Sequence, residues 1–206
     1  GAYACGSVFG LLGCAARLSG SGLLRRAAAG YITVVRAVPE LLLIILLFYS
    51  GSGAIDWLLA RLGLAGRDAI SGFATAMLTL GFVQGAYMTE VFRGAVGAIP
   101  SGCLEAGRAL GLRRLALLRL VVVPLMLRVA LPGMGNLWQS VLKESALVSV
   151  VGLGELLTVG KNAASETKQY LGILCFTALI YLCLATLSNL GFVVAERRLD
   201  RAYRAP

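Results

Sequence analysis

The 206-residue chain contains no histidine. The side chain that most often holds zinc or moves protons near neutral pH is therefore missing. Its five cysteines, Cys5, Cys14, Cys103, Cys175 and Cys183, form no CxxC pair and show no metal or disulfide spacing. Four of them sit inside apolar runs, where a thiol packs as a small hydrophobe. Without histidine or another positioned base, a serine or cysteine nucleophile has nothing to activate it. One stretch, GELLTVGKN over residues 154–162, resembles a phosphate loop. It has one residue too many between its glycines, and Asn162 where a magnesium-binding Ser or Thr belongs. The chain is therefore expected to be no enzyme, to carry no catalytic residue or metal, and to bind no cofactor itself.

Charge is also scarce, at 14% of residues, against 58% apolar residues. With a mean hydropathy of +0.83, a soluble domain would expose far too much hydrocarbon. The composition predicts an integral membrane protein, and at about 20 residues per span the chain has room for roughly four to six transmembrane helices. Its apolar runs are continuous rather than alternating, which argues against a β-barrel.

The first run, residues 1–18, is broken by Gly6, Gly10 and Gly13 and reads as the remainder of a first span whose natural N-terminus is missing. A signal peptide would need positive charge ahead of the apolar run, whereas Arg17 follows it. A basic loop and helix entry, residues 19–36, precedes a second span over 38–55. A mixed loop, 56–68, leads to a third run over 69–91, where Gly81 and Gly85 form a GxxxG pair that lets a neighbouring helix approach. A fourth span is expected over 129–157 and a last one over 170–195, before a charged tail. Counting Lys and Arg gives four in 17–36, six in 93–128 and four in 197–204, so 14 of 19 fall on one alternating set of loops. Positive residues stay on the cytoplasmic side, which places the C-terminus there. The net charge of +9 then reports topology and contact with anionic lipid, not nucleic acid.

Polar residues at membrane depth are expensive and point to function. On the third run Gln84, Tyr87, Met88 and Val91 recur at helical spacing, with Glu90 one turn beyond Tyr87. On the fourth, Asn136, Gln139, Ser140 and Lys143 repeat it, followed by Glu144. Gln84, Tyr87, Glu90, Asn136, Gln139, Lys143 and Glu144 are the candidates for a translocation path. Glu90 and Glu144 would suit a cationic substrate group, and Lys143 a carboxylate. The competing reading has Lys143 paired with Glu144 or Glu90 as glue between helices.

The interval EAGRALGLRRLALLRLVVVP, residues 105–124, is the longest strongly basic, helix-prone stretch. Taken alone it also suits an amphipathic helix on the inner leaflet. Glu105-Ala106-Gly107, then Gly111, then Val121 and Val123-Pro124 resemble the EAA loop of permease subunits of bacterial binding-protein-dependent ABC importers. That pattern is EAA, three residues, Gly, nine residues, Ile-x-Leu-Pro. Here Gly107 replaces the second Ala, and Val replaces Ile and Leu. The resemblance extends through residues 36–41, 85–94, 98–100, 130–132 and 143–149, and is greatest to the polar amino acid branch, notably permeases for histidine, lysine, arginine, ornithine and the opines.

The resemblance implies an all-α, polytopic permease domain over residues 1–206 with the type I importer fold, about five transmembrane helices, and a cytoplasmic EAA coupling loop at 100–124. Its implied partners are two ATPase subunits that use ATP and magnesium, a second related permease, a periplasmic substrate-binding protein and inner-membrane lipid, with no nucleic acid. Glu105, Ala106, Gly107, Arg108 and Gly111 would couple to the ATPase: Glu105 and Arg108 by polar contact, Ala106 and Gly107 by allowing close approach, Gly111 by ending the helix in a left-handed turn. The implied cargo is a polar, basic amino acid or an opine. Another small polar solute, or an ion-coupled carrier or channel, is the alternative.

Overall fold

The computed structural model describes residues 1–61 and 71–203, and every regular element among them is helical. In hydrocarbon an unpaired N–H or C=O finds no water, so helices that satisfy their own backbone are what an apolar chain adopts. They are α1 (Ala2–Leu18), α2 (Gly22–Ala37), α3 (Glu40–Arg61), α4 (Gly72–Gly97), α5 (Ser101–Ala109), α6 (Arg114–Leu117), α7 (Val123–Ser145), α8 (Leu156–Thr167) and α9 (Tyr170–Tyr203). A π-helical turn, Leu118–Val122, joins α6 to α7, and a 3-10 turn, Ala146–Val151, follows α7.

Helix α4 is the axis of the bundle, packed against α1, α2, α3 and α7. Its residues enter all three apolar clusters. Met88, Phe92 and Ala95 meet Cys14, Met126 and Ala130; Ala76 and Leu80 meet Ile44, Val148 and Val151; Val83 and Ala86 meet Val35 and Leu43. Because protein rather than lipid surrounds it, α4 also tolerates buried Thr75, Thr79, Gln84 and Thr89. The Thr89 hydroxyl is satisfied within its own helix, donating to the Gly85 carbonyl at 2.7 Å.

Glycines bring α1 onto α4. A Cβ at Gly10 would stand 2.6 Å from the Met88 Cβ, and one at Gly81 would stand 2.6 Å from the Cys5 Cβ. Gly6 lies against Gln84, Gly13 against Thr89, and Gly85 against Phe9. The glycines that interrupt the first apolar run are thus the contact surface of α1, and they work reciprocally with the Gly81/Gly85 pair. Tyr3 extends the seam to α7 and α9. Its hydroxyl donates to the Met134 carbonyl at 2.9 Å, and its ring meets Trp138 at 5.1 Å and Phe192 at 6.3 Å, both edge-on.

Several boundaries differ from the sequence expectation. Residues 22–37 form α2 instead of a loop, and α3 continues as helix through Asp56 to Arg61. The rest of the expected 56–68 loop, and residues 69 and 70 at the start of the third run, lie outside the described residues. The fourth span begins at Arg114, not at 129, and runs to Val151 as 38 apolar-rich residues. At 1.5 Å per residue that is about 57 Å, well beyond a roughly 30 Å hydrocarbon core, so its arginine-bearing start can lie outside the lipid. The π turn sits directly ahead of Pro124, whose missing N–H disrupts regular α pairing there, and Val123 N–H reaches back to the Leu118 carbonyl. The run ends before 157: Gly152, at φ 84°, closes the 3-10 turn, and α8 starts anew at Leu156. The phosphate-loop-like stretch is the start of α8. Its first amides, from Leu157 and Thr158, donate to the Glu155 carboxylate at 2.9 Å, and Tyr181 donates to the same carboxylate at 2.7 Å.

By length and composition alone, two described helices suffice to cross a membrane, Arg114–Val151 and Tyr170–Leu199; a third is obtained if the Gly22–Ala37 and Glu40–Gly51 pair, bent by 117°, counts as one. Five were expected. The 17-residue α1 is short, and α4 carries its polar residues inward.

Gly10→Leu is expected to force α1 off α4 and destabilise the bundle by about 1–3 kcal/mol or more, as overpacking does, whereas Gly30→Leu, at a site with open space, should be tolerated. Thermal unfolding of the detergent-solubilised protein measures the difference.

Candidate functional site

The α2–α3 junction is set by Pro39. Proline disfavours helix at the residue before it, and α2 ends at Ala37 with Val38 extended. The Pro39 carbonyl then accepts from Leu43 N–H at 3.1 Å as α3 begins. The resulting bend sets Glu40 at the first turn of α3, where its carboxyl faces both the Tyr87 hydroxyl on α4 and the Glu144 carboxyl on α7.

Glu144 is 6% exposed and accepts a short hydrogen bond from the side-chain amide of Gln84, itself 1% exposed. The other end of that amide, Gln84 Oε1, is buried without a hydrogen-bond partner. A buried acceptor left in that state costs about 1–3 kcal/mol. Tyr87 is half-buried beside them, and the exposed Arg36 lays its guanidinium over the Tyr87 ring, 5.8 Å from its centroid. Glu40, Gln84, Tyr87 and Glu144 thus form an oxygen-rich polar cluster between α3, α4 and α7.

The other path candidates lie elsewhere. Glu90 is bound to Arg93 on its own helix, at 2.7 Å through the terminal guanidinium nitrogen and 3.1 Å through Nε, so it does not pair with Lys143. Asn136 is exposed. Gln139 donates to the Ala185 carbonyl at 2.9 Å and so fastens α7 to α9. Lys143 is exposed and, with Gln139, Leu142, Tyr181 and Thr177, lines a cavity of about 490 Å³ between α7, α8 and α9. Lys143 and Glu144, about 100° apart on the helix, therefore meet different neighbours, and the seven residues do not share one cavity. Glu40 and Arg36 were missed as site residues. They belong to the matched 36–41 segment, but as charges at the mouth of an apolar run they read as its polar boundary.

At the basic end of the bundle, Glu105, Ala106 and Arg108 are exposed on α5. Gly107 is not: it is buried against Leu117, Leu112 and Val121, so its small size serves packing within the chain. Gly111 has φ 75°. Its N–H donates to the Arg108 carbonyl at 2.9 Å, and Leu112 N–H donates to the Gly107 carbonyl at 3.1 Å. These two bonds form the Schellman arrangement that ends a helix in a left-handed residue. The expected left-handed turn at Gly111 is present.

Comparison with known proteins places this geometry. The chain is 44% identical over 196 residues to the octopine transport system permease protein OccQ of Rhizobium radiobacter, covering 95% of this chain and 83% of that one. It is 40% identical over 204 residues to the nopaline permease NocQ of Agrobacterium fabrum, covering 98% and 86%. It is 39% identical over 193 residues to the histidine/lysine/arginine/ornithine permease HisQ of Escherichia coli, covering 93% and 83%. Among solved structures, an amino acid ABC transporter crystallised with histidines superposes with a TM-score of 0.77 at 29% identity, over 96% of this chain and 86% of that one. The inward-facing MetNI methionine ABC transporter superposes at 0.75 and 18% identity, over 96% and 89%, and supports the fold alone. With residues 6–201 matching its family pattern, the chain belongs to the binding-protein-dependent transport system inner membrane component family.

Proposed function

We propose that this chain is a permease subunit of an ATP-driven importer that receives a polar, basic amino acid or an opine from a periplasmic binding protein. The observation that carries the reading is the α5 end: a short helix closed by the Gly111 turn, offering Glu105, Ala106 and Arg108 to a partner while Gly107 locks it onto α6 and the π turn that lead into α7. The names of the relatives supply the substrate class, amino acids and opines. The partners are two cytoplasmic ATPase subunits, which bind ATP and magnesium, and a second, related permease subunit. Loop charge orients the chain with its C-terminus in the cytoplasm.

In this reading α5 seats in a cleft of the ATPase. Closure of the ATPase pair displaces α5, and the packing of Gly107 on Leu117 and Val121 carries that displacement into the 38-residue Arg114–Val151 helix. ATP and the loaded binding protein bias a two-state bundle between inward- and outward-facing forms. Gln84, Tyr87 and Glu144 are the proposed substrate contacts in the bundle.

Gly111→Val places a β-branched residue at positive φ, at a cost of about 1–3 kcal/mol, and Glu105→Lys reverses the exposed charge of α5. Both are expected to reduce co-purification of the ATPase subunit and ATP-dependent uptake; unchanged assembly and uptake in both would overturn the docking role. Gly107→Leu should uncouple the two measurements, retaining ATPase binding better than uptake, because it disturbs the joint between α5 and α7 and not the exposed face.

A further inference from the structure

The polar cluster between α3, α4 and α7 has more acceptors than donors. The Gln84 amide nitrogen is committed to Glu144, while Gln84 Oε1, on a side chain 1% exposed, has no partner. Glu40 adds a second carboxyl that faces Glu144. Among the described residues, no lysine or arginine forms an ion pair with either acid. The nearby positive groups make no direct contact with these acids: Arg36 lies over the Tyr87 ring, and Lys143, whose charge reaches the neighbouring Glu144, lines the cavity between α7, α8 and α9. Two carboxyl groups sharing a low-dielectric site repel unless a proton or a cation comes between them. A ligand that answers both this and the orphaned carbonyl oxygen must carry positive charge and several N–H donors. A guanidinium or an ammonium does so, and the planar guanidinium fork suits carboxylates best.

We propose that Glu40, with Glu144 and Gln84 Oε1, forms the subsite that receives the cationic end of the transported molecule, and that Glu40 sets the preference for positive charge. The inference rests on the importer reading and adds to it a residue and a role. Glu40 is suited to the role because it is only half-buried, at a helix start fixed by Pro39.

The test uses the assembled permease–ATPase complex in detergent, without binding protein, so that selectivity belongs to the membrane subunits. Binding of radiolabelled L-arginine is compared with that of L-citrulline, which has nearly the same shape and no side-chain charge. Glu40→Gln should weaken L-arginine binding by about tenfold or more, the usual result of removing one member of a buried charge contact, and leave L-citrulline nearly unchanged; Glu40→Asp should restore part of the preference. Glu166→Gln, which removes the same charge from the exposed end of α8, should change neither. If Glu144→Gln fails to assemble, Glu40→Gln still decides the matter. An arginine-to-citrulline ratio unaltered by Glu40→Gln, or no preference in the unsubstituted complex, would overturn the subsite. Failure of the importer reading shows separately, as absence of ATP-dependent accumulation in proteoliposomes supplied with the binding protein.

Discussion

The structure depends on the close approach of α1 to α4. Within a bilayer the tails of the lipids are as apolar as leucine, so helices gain little from burying hydrocarbon against one another. What holds them is dispersion at short range, which falls away when a side chain keeps two backbones apart. Gly6, Gly10 and Gly13 on one helix and Gly81 and Gly85 on the other remove that obstacle. With α1 drawn in, α4 is enclosed by protein, and its interior can carry groups that lipid would reject.

The polar cluster follows from that enclosure. Gln84 lies just under one turn from Gly81 and next to Gly85, and Glu144 reaches it from α7. The junction at Pro39 completes the cluster by turning Glu40 toward both. Tyr87 closes its half-exposed side with Arg36 over its ring. The cluster is held by three helices whose packing is tight and whose polar complement is unfinished at Gln84 Oε1. At the other end of the bundle, the same economy appears in α5: Gly107 is small because Leu117 and Val121 need its space, and Gly111 is glycine because its φ is positive.

Much of this was legible before any coordinates. The membrane class followed from composition, the helix contact at Gly81 and Gly85 from spacing, and the left-handed turn at Gly111 from the resemblance of the EAA segment. The helical faces of Gln84 and Glu144 were visible too, but their partnership was not, because nothing in a sequence says that residues 60 positions apart lie side by side. Glu90 misled for the same reason: its partner is Arg93, three residues away, and helical neighbours compete with any distant ion pair. The start of the fourth span was misplaced by 15 residues, since arginines in an otherwise leucine-rich stretch read as loop when the helix simply extends past the hydrocarbon.

The sequence by itself determined that this is a helical membrane protein with a short basic helix closed by a glycine, because hydropathy, helical period and the demand of glycine at positive φ are local properties. Only the tertiary structure decided that α1's glycines are an interface, that Gly107 faces inward, that Lys143 and Glu144 meet different neighbours, and that Glu40 lies beside Glu144. Each of these depends on which helix stands next to which, and at what distance. That is set by side-chain volume and polar pairing across the whole bundle, not by any one stretch of chain.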